Sequence, residues 1–269
     1  MVTVLRPLST SELLDRTFHL YRNNFLVFVG IMAIPQLIVL ALRLWYSATL
    51  TTVGRFNPWS AVITIVSYIA IQLSGAATVI AVSNLHLDRG IGVGSAFFAA
   101  KGSMLRVVLI TLAVGIAAGI GLIFLIVPGV YLWLMWSLAI PITVLEGGGL
   151  NVSTRRSKYL TQGSRGRIFV IYLLIVLLVW VVSMIFQIPL GIFAVAVRSH
   201  SVVRSIPMIT AISSVGTFLS TSLVGPLATI ALTLIYYDQR VRKEGFDMQL
   251  MMSTMQQSTP TTVAASPNS

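Results

Sequence analysis

The segment IVPGVYLWLMWSLAIPITVLEGGGLNVSTRRSKYLTQGSRGRI, residues 126–168, decides the fold. It contains a Pro128-Gly129 pair, an apolar run over 130–144, and a single acid, Glu146, before three glycines. The densest group of basic residues in the chain follows those glycines. An apolar run that ends at a basic segment is typical of a helix leaving a membrane. The pattern predicts a hairpin that turns at Pro128-Gly129 and returns to an anionic membrane surface.

The composition of the whole chain extends this interpretation. Hydrophobic residues make up 56% of the 269 positions and charged residues only 9%, whereas soluble domains carry about 25% charged residues. Uncharged apolar runs of about 18 residues or more predict spanning helices. We therefore expect an all-α integral membrane bundle over residues 1–247 and a disordered cytoplasmic tail over 248–269. The six predicted spans are 25–45, 61–82, 107–127, 130–145, 168–193 and 207–237.

Small residues and prolines mark predicted features inside the spans. The small-residue patch 74–77 and the pair Gly115 and Gly119 would let a neighbouring helix approach closely. Gly216, Gly225 and Pro226 predict interruptions of the sixth span.

Short amphipathic helices are predicted before three of the spans, at about 9–24, 94–105 and 150–164. In the first, Ser9 and Glu12 have the spacing of a capping box. Its apolar face is predicted to carry Leu14, Phe18, Tyr21 and Phe25. Each unit of short helix and hairpin returns at an acid: Asp88, Glu146 or Asp238. A threefold repeat and a simple alternation of loops and hairpins both explain this pattern.

The charges predict how the bundle is oriented. Six spans put both termini on one side, and that side receives 14 of the 18 basic residues and all seven acids. Under the positive-inside rule, this side is cytoplasmic. The first apolar run lacks the small-residue cleavage pattern of a signal peptide, so we expect it to remain as a signal anchor.

The basic segment is the first candidate site. Its cations are Arg155, Arg156, Lys158, Arg165 and Arg167. On a helix, small residues including Ser153 and Ser157 would face the bundle and the cations would face outward. The cations could bind anionic headgroups or an acidic protein partner, or they could serve only to fix topology. Nucleic acid is excluded as a partner because the charge is spread over loops held at a membrane.

The intramembrane glutamines are the second candidate site. Gln36, Gln72 and Gln187 are the candidates for a polar pocket within the spans, and broken helices near the midplane are where transporters build substrate sites. Polar side chains that only join helices would look the same.

Catalytic and metal-binding patterns give no candidate. With no cysteine in the chain and its three histidines isolated, no metal site or cofactor is predicted. His19, His86 and His200 are interpreted as interfacial residues. The glycines at 90, 92 and 94 lack the strand context of a phosphate-binding loop and predict a flexible connection.

Three segments carry a resemblance to a known family: RPLSTSELLDRTFHLYRNNF from Arg6, IVPGVYLWLMWSLAIPITVLEGGG from Ile126 with the following TRRSKYL, and LTLIYYDQRVRKEGFD from Leu232. In this order they resemble the bacterial six-span family named after the membrane domain of glycerophosphoryl diester phosphodiesterases. The resemblance implies an inner-membrane module without the catalytic barrel, whose His-Arg and Glu-Asp pairs do not occur here. The predicted function is therefore a non-enzymatic membrane scaffold, or a module that binds lipid or a partner. The alternative is a transporter for a small or lipidic solute.

Overall fold

The computed structural model describes residues 8–49, 58–86, 89–196 and 202–245, and within these ranges it contains helices and no strand. The helices are α1 (Thr10–Asn23), α2 (Phe25–Thr49), α3 (Pro58–His86), α4 (Val93–Ala100), α5 (Met104–Phe124), α6 (Ile126–Met135), α7 (Ala139–Glu146), α8 (Leu150–Thr161), α9 (Arg165–Ala196) and α10 (Val202–Glu244). Six segments are long and apolar enough to cross a membrane, with α6 and α7 together forming the fourth. The chain is therefore an all-α, multi-pass membrane protein, as predicted. The predicted tail, 248–269, lies outside the described residues.

Helix α10 is the central element of the bundle. It packs against α1, α2, α3, α7, α8 and α9. The predicted interruptions of this span are wrong, because α10 continues through Pro207 and Pro226. Its glycines admit neighbouring side chains instead: a Cβ at Gly216 would lie 2.8 Å from Leu190 Cδ1, and one at Gly225 would lie 3.1 Å from Met32 Cε.

Helix α1 begins as the sequence predicts. Ser9 Oγ accepts a hydrogen bond from the backbone N–H of Glu12, and the Glu12 carboxylate accepts one from the backbone N–H of Ser9. The predicted apolar face differs, however, because Leu13 and Thr17 are buried whereas Phe18 is 43% exposed. The packing of α1 on α10 explains this rotation of the buried face.

A hydrogen bond near the end of α1 also joins it to α10. The Tyr21 hydroxyl donates to the carbonyl of Leu223. Burial raises the pKa of Tyr21 to about 12, so the hydroxyl keeps its proton and can donate at physiological pH.

The α5–α6 hairpin turns at Leu125, which is the only residue between the two helices. The predicted turn at Pro128-Gly129 is wrong because both residues lie in the first turns of α6. Proline is tolerated there, since the first N–H groups of a helix have no intrahelical partner. The backbones touch at glycines four positions on either side of Leu125, and a Cβ at Gly121 would lie 2.9 Å from Gly129 Cα. A Cβ at Gly115 or at Gly119 would meet no atom within 4 Å, so the predicted close approach of a neighbouring helix does not occur at these two residues.

The fourth span is broken between α6 and α7, at residues 136–138. Pro141 has no N–H for the carbonyl of Ser137, and its ring crowds that carbonyl. Ser137 Oγ donates to the carbonyl of Leu134 at 2.9 Å and competes with the regular helical bonding. The predicted continuous helix over 130–145 is therefore two helices that meet at a turn.

The three short helices α1, α4 and α8 lie at one end of the bundle. Leu8 N–H, ahead of α1, donates to Asp238 Oδ1 at 2.8 Å near the end of α10. Helix α4 lies against the start of α2, where a Cβ at Gly30 would be 3.0 Å from Val93 Cγ2. Helix α8 is joined to the end of α10 by an ion pair with Glu244. We call this the basic end of the bundle and the other the opposite end. The threefold repeat stays a prediction, since one of its return acids, Asp88, lies outside the described residues.

Candidate functional site

The hydroxyls of α8 fix this helix on the bundle. Ser153, Ser157, Leu160 and Thr161 are fully buried, which agrees with the predicted inward face at Ser153 and Ser157. Leu150, which the helical pattern predicts on the same side, is 44% exposed instead, because it begins the helix. Ser157 Oγ donates to the carbonyl of Met135 at 2.8 Å, and Thr143 Oγ1 donates to Ser153 Oγ at 3.0 Å. Met135 ends α6, so its carbonyl lacks a helical partner and α8 supplies one. The break in the fourth span therefore provides the carbonyl that binds α8 to the bundle.

Arg156 is held in an ion-pair network at the basic end. Its Nε lies 3.0 Å from Glu146 Oε2, and its Nη2 donates to Glu244 Oε2 at 2.8 Å. Burial acts to lower the pKa of Arg156, but hydrogen bonds and charges from Glu146 and Glu244 outweigh burial and raise the pKa. The Tyr236 hydroxyl also donates to Glu146 at 2.8 Å. This candidate cation therefore joins α7, α8 and α10.

Arg167 belongs to a second network, centred on Asp238. The Asp238 side chain is 1% exposed and lies 2.6 Å from Arg167 Nη1 and 2.9 Å from Arg242 Nε. Both guanidinium groups also donate to the carbonyl of Leu8. Asp238 thus links the chain before α1 to α9 and α10, and Arg167 is occupied within the fold.

The other three cations of the basic segment face outward to different extents. Arg155 and Lys158 are exposed on the outer side of α8. Beside them, Val152 and Tyr159 are also exposed. Arg165 is half-buried, with its guanidinium 4.5 Å from the centre of the Tyr131 ring. Arg155 and Lys158 are therefore accessible to a ligand. Arg156 and Arg167 instead form ion pairs that join helices.

The three candidate glutamines do not form one pocket. Gln72 lines a cavity of about 210 Å³ between α3, α5, α6, α7, α9 and α10, and neither of the other two glutamines lines that cavity. Gln187 is exposed on α9, whereas Gln36 is 6% exposed within α2. In the part of the chain that the structure describes, the Gln36 amide nitrogen has no hydrogen-bond partner.

Two serines share this property with Gln36. Ser74 Oγ and Ser222 Oγ are buried without partners among the described residues. The contact of Met32 with Gly225 sets the antiparallel register of α2 and α10, so Gln36, one turn further along, lies near the level of Ser222. Arg43 donates a hydrogen bond to Ser67, which relates the register of α2 to that of α3. Gln36 and Ser74 each lie seven positions from this pair toward the basic end, so they are at a similar level. We call Gln36, Ser74 and Ser222 the midplane group, because Gln36 is at the centre of the span Phe25–Ala48.

Two histidines interpreted as isolated line the same cavity at the basic end. His19 and His86 surround a space of about 400 Å³ together with Arg16, Asn23, Asn24 and Arg89. Arg16 Nη2 lies 3.4 Å from His86 Nδ1. Because the two histidines come from α1 and α3, their spacing in the sequence gave no signal of this cavity. His200 lies outside the described residues. No three His, Asp or Glu side chains within the described ranges form a group that could hold a metal ion.

A comparison of the chain with protein families, with curated proteins and with solved structures finds no match. The resemblance to the six-span family therefore stays a prediction that depends on the three quoted segments.

Proposed function

We propose that this chain is a non-enzymatic membrane module whose basic end binds anionic lipid headgroups. The observation that carries the proposal is the outer face of α8, where exposed Arg155 and Lys158 stand beside exposed Val152 and Tyr159. Cations near an anionic surface contribute about 1 kcal/mol each, and apolar side chains on the same face can enter the boundary between headgroups and acyl chains. The apolar side chains favour a lipid surface over a purely acidic protein surface, because they can enter this boundary. The cavity lined by Arg16 and Arg89 supplies further cationic groups at the same end.

The same proposal places the basic end in the cytoplasm of a bacterial cell and the bundle in the inner membrane. Its support is the distribution of charge in the sequence, which predicts 14 of the 18 basic residues on this side of the membrane. Since the chain has no cysteine, a Lys158→Cys variant carries a single thiol. A membrane-impermeant maleimide should label it only after the inner membrane is opened. Labelling in spheroplasts with an intact inner membrane would contradict this orientation.

Charge reversal on α8 tests the lipid-binding proposal. We expect the double variant Arg155→Glu/Lys158→Glu to lose at least about 2 kcal/mol of affinity for anionic lipid, or roughly thirty-fold. The physical reason is that both cations face outward and neither is needed by the ion-pair networks. The measurement is the retention of phosphatidylglycerol by the purified protein in native mass spectrometry, with phosphatidylcholine as the neutral competitor.

The control for this experiment is Arg22→Glu/Lys101→Glu. Both residues are exposed at the basic end but lie outside α8, so the control changes the net charge by the same amount. We expect the control to retain most of the bound phosphatidylglycerol. Equal retention by the wild type and the α8 variant would reject α8 as the lipid-binding face.

A transporter for a small or lipidic solute is the second candidate function, and the midplane group favours it. A buried polar atom without a partner costs about 1–3 kcal/mol, and such costs are concentrated at functional sites. At the midplane of a bundle, unpaired amide and hydroxyl groups could contact a polar solute.

Gln36→Leu tests the lipidic form of this candidate. Because the amide nitrogen has no partner to lose, we expect the variant to fold with unchanged or greater stability. If the midplane group contacts the solute, vesicles with the wild-type protein should move fluorescent phosphatidylglycerol between leaflets, and Gln36→Leu should lose most of that activity. Gln187→Leu is the control, since Gln187 is exposed on α9. A wild-type rate equal to that of protein-free vesicles would reject the candidate.

A further inference from the structure

A cavity of about 310 Å³ lies at the opposite end of the bundle, between α2, α3 and α10. Most of its lining residues carry a polar group, and they come from all three helices: Arg43 and Tyr46 of α2, Ser60, Ile63 and Thr64 of α3, and Thr210, Ser213, Ser214 and Thr217 of α10. Trp45 and Trp59 directly precede the lining residues Tyr46 and Ser60 in the sequence. Their rings form an edge-to-face pair with centres 5.2 Å apart. Tryptophan is enriched at the level of lipid headgroups, so the cavity opens near one membrane surface.

Among the described residues that line this cavity, Arg43 is the charged one, and its side chain points into the bundle. Its Nη2 lies 3.4 Å from Ser67 Oγ, one turn nearer the membrane centre than Ile63 and Thr64. Ser67 itself is buried. An arginine that served only to reach the headgroups would extend away from the centre. The orientation of Arg43 therefore needs a reason inside the cavity.

The segments that form this cavity contain no acid that could neutralise Arg43. The sequence contains no Asp or Glu between Asp15 and Asp88 or between Glu146 and Asp238. Those two stretches include all of α2 and α3, the chain between them, and α10 up to Tyr237. A positive charge close to apolar helices is costly without a counter-charge, so the missing anion is expected to come from outside the chain.

The polar groups around Arg43 suit an oxyanion. The hydroxyls of Thr64, Ser214 and Thr217 donate to carbonyls of their own helices, at 2.8, 2.7 and 2.9 Å. The single protons of these three hydroxyls are committed to the backbone. The potential hydroxyl donors to a ligand are therefore Thr210 and Ser213, which also line the cavity. A guanidinium group offers a planar fork that matches the oxygens of a phosphate or a carboxylate.

We propose that the cavity at the opposite end is an oxyanion site, in which Arg43 supplies the counter-charge and Thr210 and Ser213 supply hydroxyl donors. The ligand is a phosphate or carboxylate group, either on the headgroup of an anionic lipid or on a free solute. This site lies at the other membrane surface from the α8 face and does not depend on the function proposed for α8.

The test measures binding to variants of Arg43. The protein carries Arg155→Glu/Lys158→Glu as a common background, so that lipid bound at α8 does not obscure the result. One arm titrates inorganic phosphate into the protein in neutral detergent by calorimetry. The other counts bound phosphatidylglycerol by native mass spectrometry. In at least one arm, Arg43→Gln should weaken binding about tenfold or more, because a hydrogen bond to a charged group is lost, and Arg43→Lys should lie between Gln and the wild-type residue.

Two further variants keep the result interpretable. Thr210→Val removes a hydroxyl from the cavity and keeps the shape of the side chain, so we expect it to fold normally and to weaken binding by a smaller factor. Arg22→Gln, at the basic end, should leave binding unchanged. Dependence on Arg43 in the lipid arm identifies a headgroup as the ligand, and dependence in the phosphate arm identifies a free oxyanion. If neither ligand binds the common background, or if Arg43→Gln binds both as well as that background, the proposal is overturned.

Discussion

Asp238→Asn is expected to lower the free energy of unfolding by about 3 kcal/mol, the low end of the range for removing one partner of a buried ion pair. Asp238 is nearly inaccessible to solvent and accepts hydrogen bonds from Arg167, Arg242 and the backbone N–H of Leu8. An amide in its place leaves two guanidinium groups next to each other without a counter-charge. The low end applies because the side chains of Arg167 and Arg242 are 22% and 36% exposed and keep part of their hydration.

The measurement is the fraction of sodium dodecyl sulfate that unfolds the protein in mixed micelles. Asp15→Asn is the matched control, since Asp15 is an exposed carboxylate on α1. Hydrogen exchange at Leu8 gives a local readout, and its amide should exchange faster in Asp238→Asn. If Asp238→Asn and Asp15→Asn unfold at the same detergent fraction, Asp238 does not join the N-terminal segment to α9 and α10.

The features that the sequence predicts well depend on neighbouring residues. The capping box at Ser9 and Glu12 spans a single helical turn, and the spans follow from long uncharged runs. The inward face of α8 was also predictable, because small residues recur at helical spacing on a segment whose other side is basic. In each case the deciding interaction is local, or it is with the membrane as a whole.

The features that the sequence predicts poorly depend on contacts between distant segments. The break after Met135 is stabilised by Ser157, 22 positions further along the chain, and no local pattern shows that partner. In the sequence, the basic segment looks like one cationic surface. In the structure, Arg156 and Arg167 pair with acids of α10 that are 88 and 71 positions away. The sixth span contains glycines that look like interruptions until the side chains of Met32 and Leu190 are placed against them.

The candidate sites show the same division. Residue type alone indicates Arg155, Lys158 and Gln36 as candidates. In the structure, Arg155 and Lys158 are exposed, and the buried Gln36 amide nitrogen has no partner among the described residues. The cavity at Arg43 has no such pattern in the sequence, because the hydroxyl-bearing residues around it come from three helices and have no shared spacing. The charges do carry a signal, because Arg43 lies within a stretch of the chain that contains no acid at all.

Gly129→Ala is the second substitution with a large expected effect. A Cβ at this position would lie 2.6 Å from Leu122 N and 2.5 Å from Leu122 Cγ. Because one of these atoms belongs to the backbone of α5, a change of side-chain rotamer cannot relieve the overlap. The α5–α6 hairpin must open, and we expect a loss of about 3 kcal/mol in the free energy of unfolding, at the upper end for overpacking. Unfolding in mixed micelles measures the loss.

Gly119→Ala separates this effect from the change of residue type. It makes the same substitution in α5, but its Cβ would meet no atom within 4 Å, and alanine favours a helix over glycine by about 1 kcal/mol. We therefore expect Gly119→Ala to be neutral or slightly stabilising. Since Leu125 alone connects the two helices, only glycines can occupy the positions where their backbones meet, four residues to either side. Equal stabilities of the two alanine variants would show that α5 and α6 do not approach each other at Gly129, and that the hairpin is held by other contacts.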